Sequence, residues 1–221
     1  MRTKSLTLSA AAVVAGAIAA HAQNNVYSVN VVGYVNVPLV GGAKYTAVAN
    51  PLNAPTNTLG ALFASLPAGT QVLKYNPEIA DYEGFTKTAF GSGWSPVNGA
   101  TTSLAPGEGV LVLTTAATAG FTNTFVGEVL QGDLTNSFGV GYKLVGNVVP
   151  DAGLVNTLQL TNVPTGSQLL KWDVGIQDFN GFTKTAFGAG WSPSVPSVAV
   201  GEAFFINANA PFNWVRNFTV Q

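Results

Sequence analysis

Lys87, Phe90 and Trp94 are the side chains best placed to do chemistry in this chain, because the same three return as Lys184, Phe187 and Trp191. They lie in Gly84-Phe85-Thr86-Lys87-Thr88-Ala89-Phe90-Gly91-Ser92-Gly93-Trp94-Ser95-Pro96, which recurs 97 positions later with one change, Ser92 to Ala189. An aromatic ring left in solvent binds sugar faces through their apolar C–H patches. A Trp beside a Gly-x-Gly turn in each copy therefore reads as a glycan platform. Large aromatics also dominate core energetics, and a packing residue survives duplication as readily as a ligand. The matched lysines have matched carboxylates available in Glu108 and Glu202. Such a pair either tunes a proton transfer or is a part-exposed ion pair worth under about 1 kcal/mol. The ligand-binding candidates are thus Trp94, Trp191, Phe90, Phe187, Lys87 and Lys184.

Other chemistries have less to work with. Asn76, Glu78, Asp81 and Glu83 form one acidic stretch, and Asp173, Gln177, Asp178 and Asn180 form its counterpart. Oxygen ligands at short spacing suit calcium, yet no EF-hand-like spacing is present and Asp and Asn are ordinary turn formers. The only His and the only Met are His21 and Met1, and there is no Cys. Triads, thiol nucleophiles and soft-ligand metal sites therefore cannot be built beyond residue 22. Neither a Gly-x-Ser-x-Gly elbow nor a phosphate-cradling loop occurs. The acids are too scattered to read as a glycosidase pair. We expect no enzyme and no cofactor.

These residues are positioned by short strands. Residues 26–37 alternate, with Val29, Val31, Val35 and Val37 on one phase and Ser28, Asn30, Tyr34 and Asn36 on the other, which predicts a half-buried strand. Further strands are predicted over residues 45–49, 71–75, 85–90, 110–113 and 121–130, with an acidic loop over 76–83. Leu59, Leu62, Phe63 and Leu66 have helical spacing, with Asn57 or Thr58 as cap and Pro67 as stop. A helix that short must lean on a sheet.

From residue 126 the pattern restarts. Residues 126–129 align with 32–35, 142–147 with 45–50, 156–158 with 57–59, 166–172 with 69–75, and 201–205 with 107–111. No Pro/Ser/Gly-rich linker separates the copies, so two intimately packed repeats are expected rather than two separate beads. The predicted class is all-β: two homologous repeats packed as a pseudo-two-fold β-sandwich or barrel-like unit, with one short helix or helical turn per repeat. The expected division is a signal peptide at 1–22, a first repeat at 23–125 and a second at 126–221.

The signal reading rests on Arg2 and Lys4, the apolar run over 6–20, and Ala20-His21-Ala22 as an A-x-A cleavage site. It predicts a secreted protein of the periplasm, cell surface or extracellular space. The run is shorter than the roughly 20 apolar residues that span a bilayer. Most predicted strands also fall short of the 9–11 residues or so of a transmembrane barrel strand. Charged residues make up 9% of the chain, against about 25% in an average soluble domain. Nothing in that balance favours nucleic acid or an anionic membrane. A surface of Thr, Asn, Ser, Gly and Ala suits extracellular life and also permits self-association.

The order of landmarks resembles exported tandem-repeat β proteins of the kind found in Verrucomicrobia-type bacteria. Asn50-Pro51, the hydrophobic turn over 59–63, Lys74-Tyr75, Gly93-Trp94-Ser95-Pro96 and Pro106-Gly107-Glu108-Gly109 carry the likeness in the first copy. Asn147, Lys171-Trp172, Gly190-Trp191-Ser192-Pro193 and Gly201-Glu202-Ala203-Phe204-Phe205 carry it in the second. Val110-Leu111 stand where aromatics are usual, and Asn147 lacks an adjacent Pro. The resemblance implies a secreted or cell-surface β protein and carries over no catalytic residue. The expected function is a non-enzymatic structural or adhesive role at the cell envelope. The alternative is a carbohydrate-binding module using the repeated aromatics, so the expected partners are further copies of the chain or an extracellular glycan.

Overall fold

The computed structural model describes residues 31–220. The expected signal segment and the first part of the 26–37 alternation lie outside the described residues. The first copy contains β1 (Val32–Leu39), β2 (Tyr45–Ala49), a single helical turn α1 (Leu59–Leu62), β3 (Gln71–Asn76), β4 (Asp81–Lys87), β5 (Trp94–Ser95), β6 (Gly109–Leu113) and β7 (Phe121–Glu128). The second contains β8 (Gly132–Phe138), β9 (Gly141–Gly146), β10 (Gly153–Leu154), β11 (Gln168–Asp173), β12 (Asp178–Lys184), β13 (Trp191–Ser192), β14 (Ser197–Val198), β15 (Ala203–Ala208) and β16 (Phe212–Phe218). The fold is all-β and sandwich-like, as the alternation and frequent turns predicted.

Each copy builds one five-stranded antiparallel sheet and a two-stranded ribbon from its first and last strands, and the second copy adds the short pair β10-β14. The sheet order is β2-β6-β3-β4-β5 in the first copy and β9-β15-β11-β12-β13 in the second, so the two orders correspond strand for strand. Ribbons β1-β7 and β8-β16 correspond likewise. The copies are stitched by reciprocal contacts: Val48 bridges Glu202, and its counterpart Val145 bridges Glu108. That reciprocity is the signature of a pseudo-two-fold.

Each copy has its own interior. Val35, Phe63, Val72, Phe85, Trp94, Val112 and Phe125 meet in the first, and Val145, Leu158, Leu169, Trp191, Phe204 and Trp214 meet in the second. A third cluster lies between the sheets, where Ala49, Leu111, Leu144, Ala203 and Phe205 meet Tyr45, Tyr75, Tyr82, Trp172 and Phe179. Its rings pack edge to face, Tyr75 at 5.0 Å and Phe179 at 5.5 Å from Phe205. Such geometry adds about 0.5–1.5 kcal/mol per pair beyond area burial.

Local expectations fared unevenly. Leu59, Leu62, Phe63 and Leu66 are all buried, as their spacing predicted, but the helix is only Leu59–Leu62, started by the Thr58 hydroxyl accepting from Ala61 N–H. The second copy has a helical turn there instead, with Leu158 N–H donating to Leu154 O. The predicted 85–90 strand is displaced. β4 runs Asp81–Lys87, so the acidic loop shrinks to residues 77–80 and Phe90 sits in a turn. The boundary expected at 125/126 falls inside β7, which pairs with β1 along its whole length. β8 plays the part of β1 in the second copy, so that copy starts after Glu128, and the match of 126–129 with 32–35 is corrected.

Candidate functional site

β4 and β5 are antiparallel partners, with Lys87 directly opposite Trp94, and β12 and β13 repeat this with Lys184 opposite Trp191. The residues between them form a tight loop in each copy. Thr88 N–H donates to Gly93 O at 2.9 Å, Gly93 N–H to Phe90 O at 3.2 Å, and the Thr88 hydroxyl to Phe90 O at 2.9 Å. Thr185, Phe187 and Gly190 make the same three bonds at 3.0, 3.2 and 2.9 Å. Gly91 and Gly93, like Gly188 and Gly190, have positive φ, which is why the turn is written Gly-x-Gly.

This loop sorts the aromatic residues into two roles. Trp94 and Trp191 are 4% exposed and belong to the two interiors. Phe90 and Phe187 are 88% and 85% exposed. The expectation that the tryptophans form a glycan platform is therefore corrected, because a two-residue strand pinned to β4 or β12 turns the indole inward. The exposed ring belongs to the turn.

The lysines lie between these layers. Lys87 Nζ sits 5.1 Å from the Trp94 ring centroid, and Lys184 Nζ 5.2 Å from that of Trp191. Each ammonium thus rests on its cross-strand partner's π face, worth about 0.5–1 kcal/mol at an open site. Among the described residues, neither is within ion-pair distance of a carboxylate. The expected pairing of Lys87 with Glu108 and Lys184 with Glu202 is overturned. Glu108 takes Lys74 at 3.2 Å and Glu202 takes Lys171 at 3.2 Å. β3 lies next to β6, whereas β4 is a strand further away. Lys74 and Lys171 also donate to Ser103 O and Ser197 O, each at 2.6 Å. These are struts joining loops to the sheets.

One residue in the second site was not legible. Asn156 Oδ1 accepts from Trp191 Nε1 at 3.0 Å, and its Nδ2 donates to Ala189 O at 3.2 Å, fastening the loop to the buried indole. The matched Asn57 does something else, bonding to Asn50, Asn53 and Ala54.

The acidic stretches are hairpin turns closed by their own side chains. Asn76 Oδ1 accepts from Glu78 N–H at 3.0 Å, and Asp173 Oδ1 from Gly175 N–H at 2.8 Å. The Gly175 N–H, the Asn180 amide and the Ile176 N–H, in that order, hold the Asp173 carboxyl below its ordinary range. Among the described residues, no group of three or more His, Cys, Asp or Glu side chains is gathered as a metal would need. No described helix is long and apolar enough to cross a membrane.

The arrangement holds two phenyl rings in water on hydrogen-bonded turns, and at the base of each turn an ammonium without a carboxylate partner among the described residues rests on a buried indole. Comparison with protein-family models, curated proteins and solved structures finds no match for this chain.

Proposed function

We propose that this chain is a non-enzymatic exported protein with a structural or adhesive role at the cell envelope or in the extracellular space, contacting its partners through Phe90 and Phe187. The observation that carries this reading is the near-complete exposure of both rings on loops fixed by matched hydrogen bonds. A rigid aromatic anchor loses little entropy on contact, and such anchors dominate interface energetics. Two anchors on one chain give avidity toward a repeated partner surface. The export signal read in residues 1–22 and the sparse charge of the chain support the location.

The test uses the mature chain and its Phe90→Ser/Phe187→Ser double variant in light scattering and in adsorption to purified cell envelopes. Loss of self-association or adsorption in the double variant, with each single variant intermediate, is the expected result. Equal behaviour of wild type and double variant removes the reading.

A further inference from the structure

An amine and a carboxamide in the second copy meet without serving any role described above. Lys143 on β9 places Nζ 2.7 Å from Asn136 Oδ1 on β8, and 2.8 Å from Ser137 O. The Phe138 ring lies 5.0 Å from the same nitrogen. Glu108, reaching over from the first copy, lines with Lys143 a cavity of about 130 Å³. Its neighbour Gly107 packs against the amide, since a Cβ placed there would lie 3.5 Å from Asn136 Nδ2. Glu108 spends Oε2 on Lys74 and on Ala105 N–H; Oε1 takes part in neither bond. Nucleophile and acyl carbon are thus in contact at a join between the copies, and Glu108 stands on the wall of the cavity that Lys143 lines, outside ion-pair distance of it.

We propose that Lys143 and Asn136 condense into an intramolecular isopeptide bond, with Glu108 relaying the protons. Glu108 turns its side chain across the cavity it shares with Lys143 to accept a proton from the ammonium, and the neutral amine attacks Asn136 Cγ. The new C–N bond forms as the Cγ–Nδ2 bond breaks. The protons given up by the amine pass through Glu108 to the departing nitrogen. One ammonium ion leaves, Glu108 is regenerated, and no oxidant or reductant is required. Contact at hydrogen-bond distance supplies the proximity on which such intramolecular reactions rely. Burial lowers the proton affinity of Lys143, against the opposing pull of Glu108, which favours the nucleophilic form.

The contact belongs to the second copy alone. Thr46 occupies the matched position in β2, and Val37 the matched position in β1, so the first copy has neither amine nor amide there. The product would tie ribbon β8-β16 to the edge strand of its sheet. The ring it closes is short, so its contribution is to resist peeling of the ribbon rather than to constrain the unfolded chain.

Intact mass and peptide mapping of the purified chain decide the matter. The expected result is a polypeptide lighter by one ammonia, with a branched peptide joining Lys143 to Asn136. Lys143→Arg and Asn136→Ala should each restore the unreacted mass, and Glu108→Gln should slow or abolish the reaction. A wild-type chain without the branched peptide overturns the proposal, whatever the variants do. Ammonia loss that persists in Lys143→Arg also overturns it, by assigning the change to cyclised Gln23 or to a succinimide at Asn98-Gly99. Neither result bears on Phe90 or Phe187.

Discussion

Ala49 and Gly146 hold matched positions in the two copies and face each other across the pseudo-two-fold, with room for one methyl group between them. A Cβ on Gly146 would collide with the Cβ of Ala49. The neighbouring matched pair has the opposite assignment: a Cβ on Gly109 would lie 2.8 Å from that of Ala203. Two Ala residues would clash at either place and two Gly residues would leave a void. Divergence after duplication therefore settled on one of each. Gly146→Ala should destabilise by about 1–3 kcal/mol through overpacking. Ala49→Gly/Gly146→Ala should regain much of that loss, though the Glu202 carbonyl stays 2.8 Å from the new methyl. Urea midpoints for the double-mutant cycle measure the coupling; strictly additive single effects would show that the methyls do not compete.

A second exchange between copies concerns Arg216. In β16 it sits opposite Leu134, as Phe125 in β7 sits opposite Val35. Arg216 is 4% exposed, donates to Asp151 Oδ2 at 2.7 Å, and has an unpartnered Nε. The first copy has Ala54 in place of Asp151, and Ala54 and Phe125 line an apolar groove there. Removing Asp151 alone strands a buried cation, so Asp151→Ala should cost about 3 kcal/mol. Asp151→Ala/Arg216→Phe imports the first copy's pair and should be close to wild type or better. Thermal unfolding of the three proteins separates these outcomes, and a double variant as weak as Asp151→Ala would contradict the argument.

Phe90 and Trp94 stand four residues apart on one loop, yet should respond oppositely to truncation. Phe90→Ser removes a ring that touches mainly water, so stability should stay within about 0.5 kcal/mol of wild type. Trp94→Ala empties a buried site in the first interior and should cost about 3–5 kcal/mol. Phe187→Ser and Trp191→Ala should repeat the contrast in the second copy. Guanidinium denaturation reads all four, and a large loss for Phe90→Ser would show that the ring holds its loop in place rather than standing in water.

The contrast also marks what the sequence could and could not disclose. Matched runs around Gly84 and Gly181 revealed the duplication, and strict alternation revealed the strands with one apolar face. β8 was missed because Asp133, Thr135 and Ser137 alternate with only Leu134, Asn136 and Phe138, too weak a pattern to separate from a loop. The inward turn of Trp94 depends on its being pinned opposite Lys87, and register is a tertiary property. The choice of Lys74 over Lys87 as partner of Glu108 likewise follows from strand order. Two matched residues say that a contact was inherited, without saying which contact.

Tyr82 supplies a pH-dependent test of the inter-sheet cluster. It lies edge-on to Tyr75 at 5.5 Å and to Phe205 at 6.3 Å. Burial, then the neighbouring Tyr75, Tyr45 and Asp81, push its phenol from 10.0 up to about 12. The folded-state value lies above the unfolded one, so the unfolded chain releases this proton first as pH rises. Stability from this group is therefore whole below pH 10 and drains away between pH 10 and about 12. Absorbance titration of the phenols should show one tyrosine ionising late, and Tyr82→Phe should lack that step. The same variant should lose less stability than wild type across the alkaline window. An unchanged alkaline limb in Tyr82→Phe would show that the sheets do not shield this phenol.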